Sequence, residues 1–341
     1  MPELTKFGDI SPRQAAYSAV KMLERGQNLV ILERFGQSVP IPKRNTQTIK
    51  FRRYESLALA TAPLAEGVTP SGQKLTYTDV TAVLQQLGDT VGLTDIVVDT
   101  HEDAVPKETI KLCGEQIADT VEVVRYNKLK AGSTVFYANS AASRAYVSSP
   151  PLAKDLKRII RYLNRQKAKP ISTMVKASAL ISTEPVNPSF FAVCHTDLKP
   201  DLKNMDGFTE VKNYSNSDKA LPGEVGACEE IRFICTRLFD PWLAAGSSAT
   251  GTTYLSNGDA VSSAAAPDVY PILIFAEDAY AIVPLQGENA VTPTLINPGT
   301  PTKDDPLGQR GSVSWKTMQT CCILNQSWCI RYETACTSNP S

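Results

Sequence analysis

The segment IKFRRYESLALATAPLAEGVTPSGQKLTYTDVTAVLQQL, residues 49–87, has the pattern of a long β-hairpin. Turn-forming residues concentrate in 66–72, and strand-forming residues flank them on both sides. Neither arm has a clean apolar face; on the first arm, Leu57 shares its face with Arg53 and Glu55. At about 3.3 Å per residue, arms of this length reach roughly 40 Å. Such mixed faces favour partial burial against another chain.

The composition is that of an ordinary globular protein, with 341 residues of which 42% are hydrophobic. Lys and Arg number 35, as do Asp and Glu, so the formal net charge is zero and the basic excess of a dedicated nucleic-acid binder is absent. The first residues, MPELTKFGD, lack the apolar run of a secretory signal. The longest uncharged stretches are too polar to span a membrane. We therefore expect a protein made and kept in a cytosol-like compartment.

The cysteine pattern favours buried free thiols over a metal site. No two cysteines have the C-x-x-C spacing, and adjacent Cys321 and Cys322 are poorly placed to share one tetrahedral ion. Neither a cofactor nor a metal is expected. The eight cysteines are Cys113, Cys194, Cys228, Cys235, Cys321, Cys322, Cys329 and Cys336.

Apolar spacing predicts four helices. The strongest covers 106–130, where apolar residues recur at three- and four-residue steps between Pro106 and Gly132. A second covers 152–166, a short third lies within 197–205, and a weakly amphipathic helix covers 11–25.

Strand and loop signals dominate the second half of the chain. Residues 268–285 read as two buried strands around Glu277–Asp278, and 312–336 are rich in strand formers. The Ser/Gly/Thr-rich stretch 246–266 predicts an exposed, mobile loop. Residues 286–306 predict a long Pro-rich connector.

Catalytic patterns are sparse. His195 precedes Asp197, which would suit a general base in a hydrolase-type enzyme; the simpler interpretation is a polar residue at a strand-to-helix junction. His101 lies in an acidic loop, and GSSATG at 246–251 lacks the second glycine and the context of a nucleophile elbow. No phosphate-binding glycine motif occurs.

The helix over 152–166 carries a basic face opposite its apolar one. This face could lie against a polyanion, be solvated, or pair with acids of a neighbouring chain. Its candidate DNA-facing residues are Lys157, Arg158, Arg161 and Arg165.

Long, ordered stretches of the chain resemble a known family. They include SPRQAAYSAVKMLERGQNLVILERFGQ, the hairpin with its flanks at 45–89, VYPILIFAEDAYAIVPL, and DPLGQRGSVSWKTMQTCCILNQSW. The chain resembles the major capsid proteins of tailed bacteriophages, in the family typified by the capsid protein of the coliphage N-four. It departs at Cys321, Cys322, Cys329 and Cys336, where small or apolar residues are usual. These four either fill a core or cross-link after exposure to oxygen.

The resemblance implies an α+β, HK-ninety-seven-type phage capsid fold. Its implied parts are an N-terminal arm (1–45), an extended E-loop hairpin (46–96), a peripheral domain with a long spine helix (97–148), an axial domain (149–302) and peripheral return strands (303–341). No enzymatic activity is implied.

The implied function is self-assembly into the icosahedral shell that encloses phage double-stranded DNA, through hexameric and pentameric capsomers. Further implied partners are a portal, scaffolding or decoration proteins, and the packaged DNA through weak non-specific contact; no membrane is implied. The protein would be synthesised in the bacterial cytoplasm and reside in the virion. The hairpin tip would then contact the next subunit, with candidate interface residues Leu64, Glu66, Val68, Pro70, Gly72 and Lys74.

Overall fold

The structure is a computed structural model and describes residues 30–44, 46–61, 63, 66–67, 72–100, 105–175, 183–214, 220–248, 253–260, 265–285, 291–299, 301 and 305–338. The predicted helix over 11–25 and His101 lie outside these ranges. So do three of the predicted interface residues, Leu64, Val68 and Pro70.

The described residues contain four α-helices and seventeen β-strands. The helices are α1 (Asp95–Thr100), α2 (Val105–Lys130), α3 (Ala153–Arg165) and α4 (Lys199–Lys203). The strands before α3 are β1 (Gln37–Ser38), β2 (Thr48–Tyr54), β3 (Tyr77–Val83), β4 (Gln85–Thr94) and β5 (Val135–Tyr137). The next are β6 (Ile171–Val175), β7 (Thr183–His195), β8 (Phe208–Glu210), β9 (Glu224–Cys228), β10 (Ile231–Thr236), β11 (Leu255–Ser256) and β12 (Asp259–Ala260). The last are β13 (Val269–Phe275), β14 (Tyr280–Pro284), β15 (Val291–Ile296), β16 (Arg310–Ile323) and β17 (Cys329–Ala335).

The helices predicted over 106–130, 152–166 and within 197–205 are confirmed as α2, α3 and α4. From Ile110 to Val121, the buried face of α2 contains the predicted apolar stripe. Farther along, the buried face contains Glu122 and Arg125, which the apolar pattern did not predict.

Two sheets organise the described part of the chain. A five-stranded sheet has the order β1-β14-β16-β15, with β4 also paired to β16. An eight-stranded sheet has the order β5-β17-β13-β7-β10-β9-β8, with β6 also paired to β7. The strands β2 and β3 form a separate antiparallel pair, as do β11 and β12.

The eight-stranded sheet is packed on both faces, because successive side chains of a strand point in opposite directions. On β7, Phe190, Ala192 and Cys194 pack in one cluster with the apolar side of α3. The intervening Phe191 and Val193 pack in another cluster with the end of α2 and with β14 and β16. Burial on both faces accounts for the continuous apolar run FFAVC, which does not alternate.

A third cluster joins the first half of α2 to the five-stranded sheet. Ile110, Cys113 and Ile117 pack there against Val313 and Trp315 of β16. The indole Nε1 of Trp315 also donates a hydrogen bond to Gln116 on α2, at 3.0 Å. The helix therefore lies along one face of this sheet.

Three loop and hairpin expectations are corrected. Within 286–306, residues 291–296 form β15, because they pair with β16. Within 246–266, residues 255–260 form a short hairpin held by Asp268, which accepts hydrogen bonds from the N–H groups of Asn257 and Gly258. The β-ladder of the long hairpin covers only 48–54 and 77–83, and Leu87 belongs to β4 in another sheet.

The predicted domain boundaries stay a prediction. The sheets do not follow them strictly along the chain: β14 and β15 fall within 149–302 but pair with β16. Conversely, β17 falls within 303–341 but pairs with β13 in the larger sheet.

Candidate functional site

The candidate site is the projecting hairpin, which we define as β2, β3 and the residues between them. Its strands pair from Thr48 opposite Val83 to Tyr54 opposite Tyr77. The base is fixed to the five-stranded sheet, because Ala82 and Leu84 are buried in a cluster with Val283 of β14. The hairpin is therefore anchored at one end and extends away from the sheet at the other.

One face of the hairpin carries an ordered polar and aromatic cluster. Arg52 donates two hydrogen bonds to the Asp79 carboxylate, at 2.8 and 3.0 Å, and its guanidinium lies 4.2 Å from the ring centroid of Tyr77. Tyr54 and Tyr77 meet edge to face across the strands. The hydrogen bond from Arg52 lowers the pKa of Asp79 below its ordinary value. Arg and Tyr are the side chains that most often dominate binding at protein interfaces.

The outer half of the hairpin exposes large apolar side chains. Leu59 is 83% exposed, Leu75 is 58% exposed and Leu57 is 54% exposed. A subunit that functioned alone would leave this apolar surface in water, which is the usual sign of an interaction site. The described part of the predicted tip is exposed as well, with Glu66, Gly72 and Lys74 all at the surface.

The basic helix α3 is only partly available for an outside partner. Leu156, Ile159 and Leu163 are fully buried on its apolar side. Lys157 forms an ion pair with Glu229 at 3.3 Å, and Arg158 donates a hydrogen bond to Ser140 at 2.5 Å.

Arg161 and Arg165 are exposed, and within the described ranges neither has an ion-pair partner. A DNA-facing role for the four basic residues stays a prediction, and these two are the members most open to a polyanion.

His195 and Asp197 do lie together, with 3.0 Å between Nδ1 and Oδ2. However, His195 also caps the short 3₁₀ turn 196–198 by accepting a hydrogen bond from the Asp197 N–H. The Asp197 carboxylate accepts a hydrogen bond from the hydroxyl of Tyr270, at 2.9 Å.

The nearby thiol of Cys336 is 1% exposed, and burial raises its pKa, which leaves it a poor nucleophile. The geometry fits a capped strand-to-helix junction, and nothing in it supports the hydrolase alternative.

A buried polar contact that the sequence did not reveal joins residues 31–34 to α2. Glu122 is fully buried, and its Oε1 accepts hydrogen bonds from the backbone N–H groups of Ile31 and Leu32, at 3.1 and 2.9 Å. Arg125, one turn farther along α2, binds Glu33 and Gln319. Burial raises the pKa of Glu122 to about 7. In the sequence, Glu122 lies directly after Val121 and outside the three- and four-residue steps of the apolar stripe, so the local pattern carries no signal of its burial.

The other candidate chemistry is absent from the described ranges. They contain no group of three or more His, Cys, Asp or Glu placed to hold a metal ion. None of the helices there is long and apolar enough to cross a membrane. All eight cysteines are free, and six are buried.

Comparisons with known proteins agree with this geometry. Residues 77–318 match the model of the family described as phage capsid protein. The chain is 23% identical over 255 residues to the major capsid protein of Pseudomonas phage KPP21, which covers 70% of this chain and 61% of that protein. It therefore spans about three fifths of the length of this curated relative.

Solved structures share the fold at low sequence identity. The capsid of Ralstonia phage GP4 aligns with a TM-score of 0.63 at 12% identity, over 91% of this chain and 92% of that chain. The capsid of cyanophage Pam1 aligns with a TM-score of 0.61 at 14% identity, over 92% and 93%. The α+β phage capsid fold is confirmed by these alignments. Because the family model covers more than two thirds of the sequence, the chain belongs to the phage capsid protein family.

Proposed function

We propose that this protein is a major capsid protein that self-assembles into the icosahedral shell around phage double-stranded DNA. The observation that carries the proposal is the projecting hairpin, which is anchored at its base and exposes Leu57, Leu59 and Leu75 beyond it. Membership of the phage capsid protein family supports the same conclusion. The role is one of contact and not of catalysis.

The hairpin suits an interface that repeats around a ring. We propose that a different surface of the neighbouring subunit receives it, which makes the contact head-to-tail. Such head-to-tail contacts generate closed rings when the rotation between subunits closes. Hexamers and pentamers are the rings we propose, with the shell stabilised by many copies of one modest contact.

We propose the following division of the subunit. Residues 46–96 contain the E-loop hairpin, and α2 with the five-stranded sheet forms the peripheral domain. The eight-stranded sheet with α3 and α4 forms the axial domain, so that β17 joins the axial part although it follows β16 in the chain. Residues 1–45 form the N-terminal arm, whose described end is fixed to α2 through Glu122.

The proposed partners are further copies of the chain, a portal, scaffolding or decoration proteins, and DNA through weak contact with Arg161 and Arg165. The proposed location is the virion, after synthesis in the bacterial cytoplasm. Neither a cofactor nor a metal has a part in this role.

The test replaces 61–70 by Asn-Gly, a pair that favours the tight type I′ turn. Because Tyr54 pairs with Tyr77, this choice keeps the strand register and lets the shortened hairpin close. We expect a folded subunit with near-normal thermal stability, because the removed residues that the structure describes are exposed. We expect assembly to fail, since a loss of even 1–2 kcal/mol per contact, roughly the effect of one interface residue, repeats over every subunit.

Sedimentation and electron microscopy measure this outcome beside a matched control, Leu307→Ser, which alters an exposed leucine far from the hairpin in sequence. Closed shells from the control and only subunits or capsomers from the shortened chain support the proposal. Normal shells from both variants would show that the tip is not an assembly element.

A further inference from the structure

Two thiols meet on neighbouring strands of the eight-stranded sheet. Cys194 lies on β7 and Cys235 on β10, and these strands run parallel with the two residues directly opposite each other. Their Sγ atoms are 3.5 Å apart. Both side chains pack in the cluster that the apolar side of α3 covers. The two thiols are therefore in contact in the folded subunit, on the same face of the sheet.

The spacing of the strands allows a disulfide between these thiols. Neighbouring strands lie about 4.8 Å apart, and the Cα atoms of a disulfide are usually about 4.4–6.8 Å apart. The sulfur atoms must approach from 3.5 Å to about 2.0 Å, a movement that rotation of the two side chains can supply. Cys321 and Cys322 differ, because they are successive on β16 and pack in different clusters.

The two thiols differ in their access to small reagents. Cys194 is 0% exposed, whereas Cys235 is only partly buried. The hydrogen bond with Cys235 and burial raise the pKa of Cys194 well above its ordinary value. A buried, protonated thiol reacts slowly with an oxidant. Cys235 is therefore the thiol that an oxidant reaches first, and Cys194 is placed to react with the product.

We propose that Cys194 and Cys235 form a disulfide within the subunit when the protein meets a peroxide. Hydrogen peroxide oxidises the Cys235 thiol to a sulfenic acid and is itself reduced to water. The Cys194 sulfur then attacks the sulfenic sulfur. The S–S bond forms as the S–O bond breaks, and the hydroxyl leaves as water with the proton of Cys194. Two electrons pass in total from the two thiols to the peroxide.

The bond would join two strands in the interior of the eight-stranded sheet. The two cysteines are 41 positions apart, so the link closes a long loop and restricts the unfolded chain. In a reducing cytoplasm the thiols stay free, and the link forms only in oxidising surroundings. Its use as a reinforcement of the virion after release from the cell rests on the proposed function, whereas its formation does not.

Peptide mapping by mass spectrometry tests the proposal on the full chain in its folded state. The protein is treated with hydrogen peroxide, the remaining thiols are blocked with iodoacetamide during unfolding, and the chain is digested without reductant. We expect the peptides that contain Cys194 and Cys235 to be recovered mostly as one linked species, which a reductant separates. Glutathione in a parallel sample reports that the peroxide is active.

Substitutions test the order of the two steps. Cys194→Ser should accumulate sulfenic acid at Cys235, measured as an adduct with dimedone, because the second thiol is missing. Cys235→Ser should leave Cys194 to be blocked by iodoacetamide. The matched control is Cys322→Ser, which alters another partly buried cysteine and should form the link as the unaltered chain does.

A urea titration measures the effect of the link on stability. The oxidised chain should unfold at a higher urea concentration than the reduced chain, and the difference should disappear after reduction. Equal midpoints for the two forms would refute the reinforcement.

Recovery of the two peptides separately, while glutathione is oxidised, overturns the proposal. A link from either cysteine mainly to any other cysteine also overturns it. The unaltered chain decides both outcomes, so the test stands even where a variant fails to fold. Failure of the unaltered chain to form shells would count against the proposed function alone, because the disulfide is measured within single subunits.

Discussion

Substitution of Glu122 by Gln should remove a defined part of the pH dependence of folding. Glu122 is fully buried on α2, where its Oε1 accepts the two backbone hydrogen bonds from Ile31 and Leu32. Its other oxygen, Oε2, has no hydrogen-bond partner among the described residues. A glutamine keeps the accepting oxygen but cannot ionise.

The magnitude follows from the pKa of Glu122, which burial raises from an ordinary 4.5 to about 7 in the folded protein. The folded state then binds more protons than the unfolded state between these two values, so stability falls as pH rises. The contribution of Glu122 to the free energy of unfolding is complete below pH 4.5 and is lost as pH rises through 7. The gap of about 2.5 pH units corresponds to about 3 kcal/mol at most, and to about 2–3 kcal/mol between pH 5 and pH 8.

The assay is urea unfolding of unassembled subunits at pH 5 and pH 8, followed by tryptophan fluorescence. The wild-type chain should lose about 2–3 kcal/mol more than Glu122→Gln over this interval. Glu230→Gln, which makes the same change at an exposed residue, should behave as the wild type does. If Glu122→Gln and the wild type lose stability equally with pH, Glu122 is not the buried titrating group and the reasoning is refuted.

Two further predictions concern DNA and oxidation. Replacing Arg161 and Arg165 by Gln should lower the packaged DNA per shell while shells still form, because these side chains are exposed and have no ion-pair partner in the described ranges. The control is Lys157→Gln, and shells of the double variant that contain as much nucleic acid as shells of this control would contradict the prediction. On non-reducing denaturing gels, mature particles should give monomers, because burial raises the pKa of Cys321 and Cys329 to about 12; reducible ladders of dimers and larger species would show intersubunit disulfides instead.

The local elements were predictable because their signals lie within one stretch of chain. The apolar steps of 106–130 predict α2, since a helix repeats its face every three to four residues. Residues 312–336 gave β16 and β17 through their strand formers. The exposure of the hairpin was predictable, because each arm mixes apolar and charged side chains on one face and cannot pack that face against an apolar core.

The remaining features depend on pairing between distant segments. From sequence alone, residues 291–296 resemble a connector, and they form a strand because they pair with β16. The strands β13 and β14 are close in sequence but belong to different sheets. Burial of Glu122 likewise depends on residues 31–32, about ninety positions earlier. The contact between Cys194 and Cys235 could not be foreseen either, because only the sheet order shows which strands are neighbours.

A three-dimensional reconstruction by electron microscopy of particles assembled from the purified chain tests the central claim most directly. The account predicts closed icosahedral shells built from five- and six-membered rings. In each ring, the hairpin of one subunit should lie on its neighbour. Small discrete oligomers, or closed shells in which every hairpin folds back onto its own subunit, would contradict it.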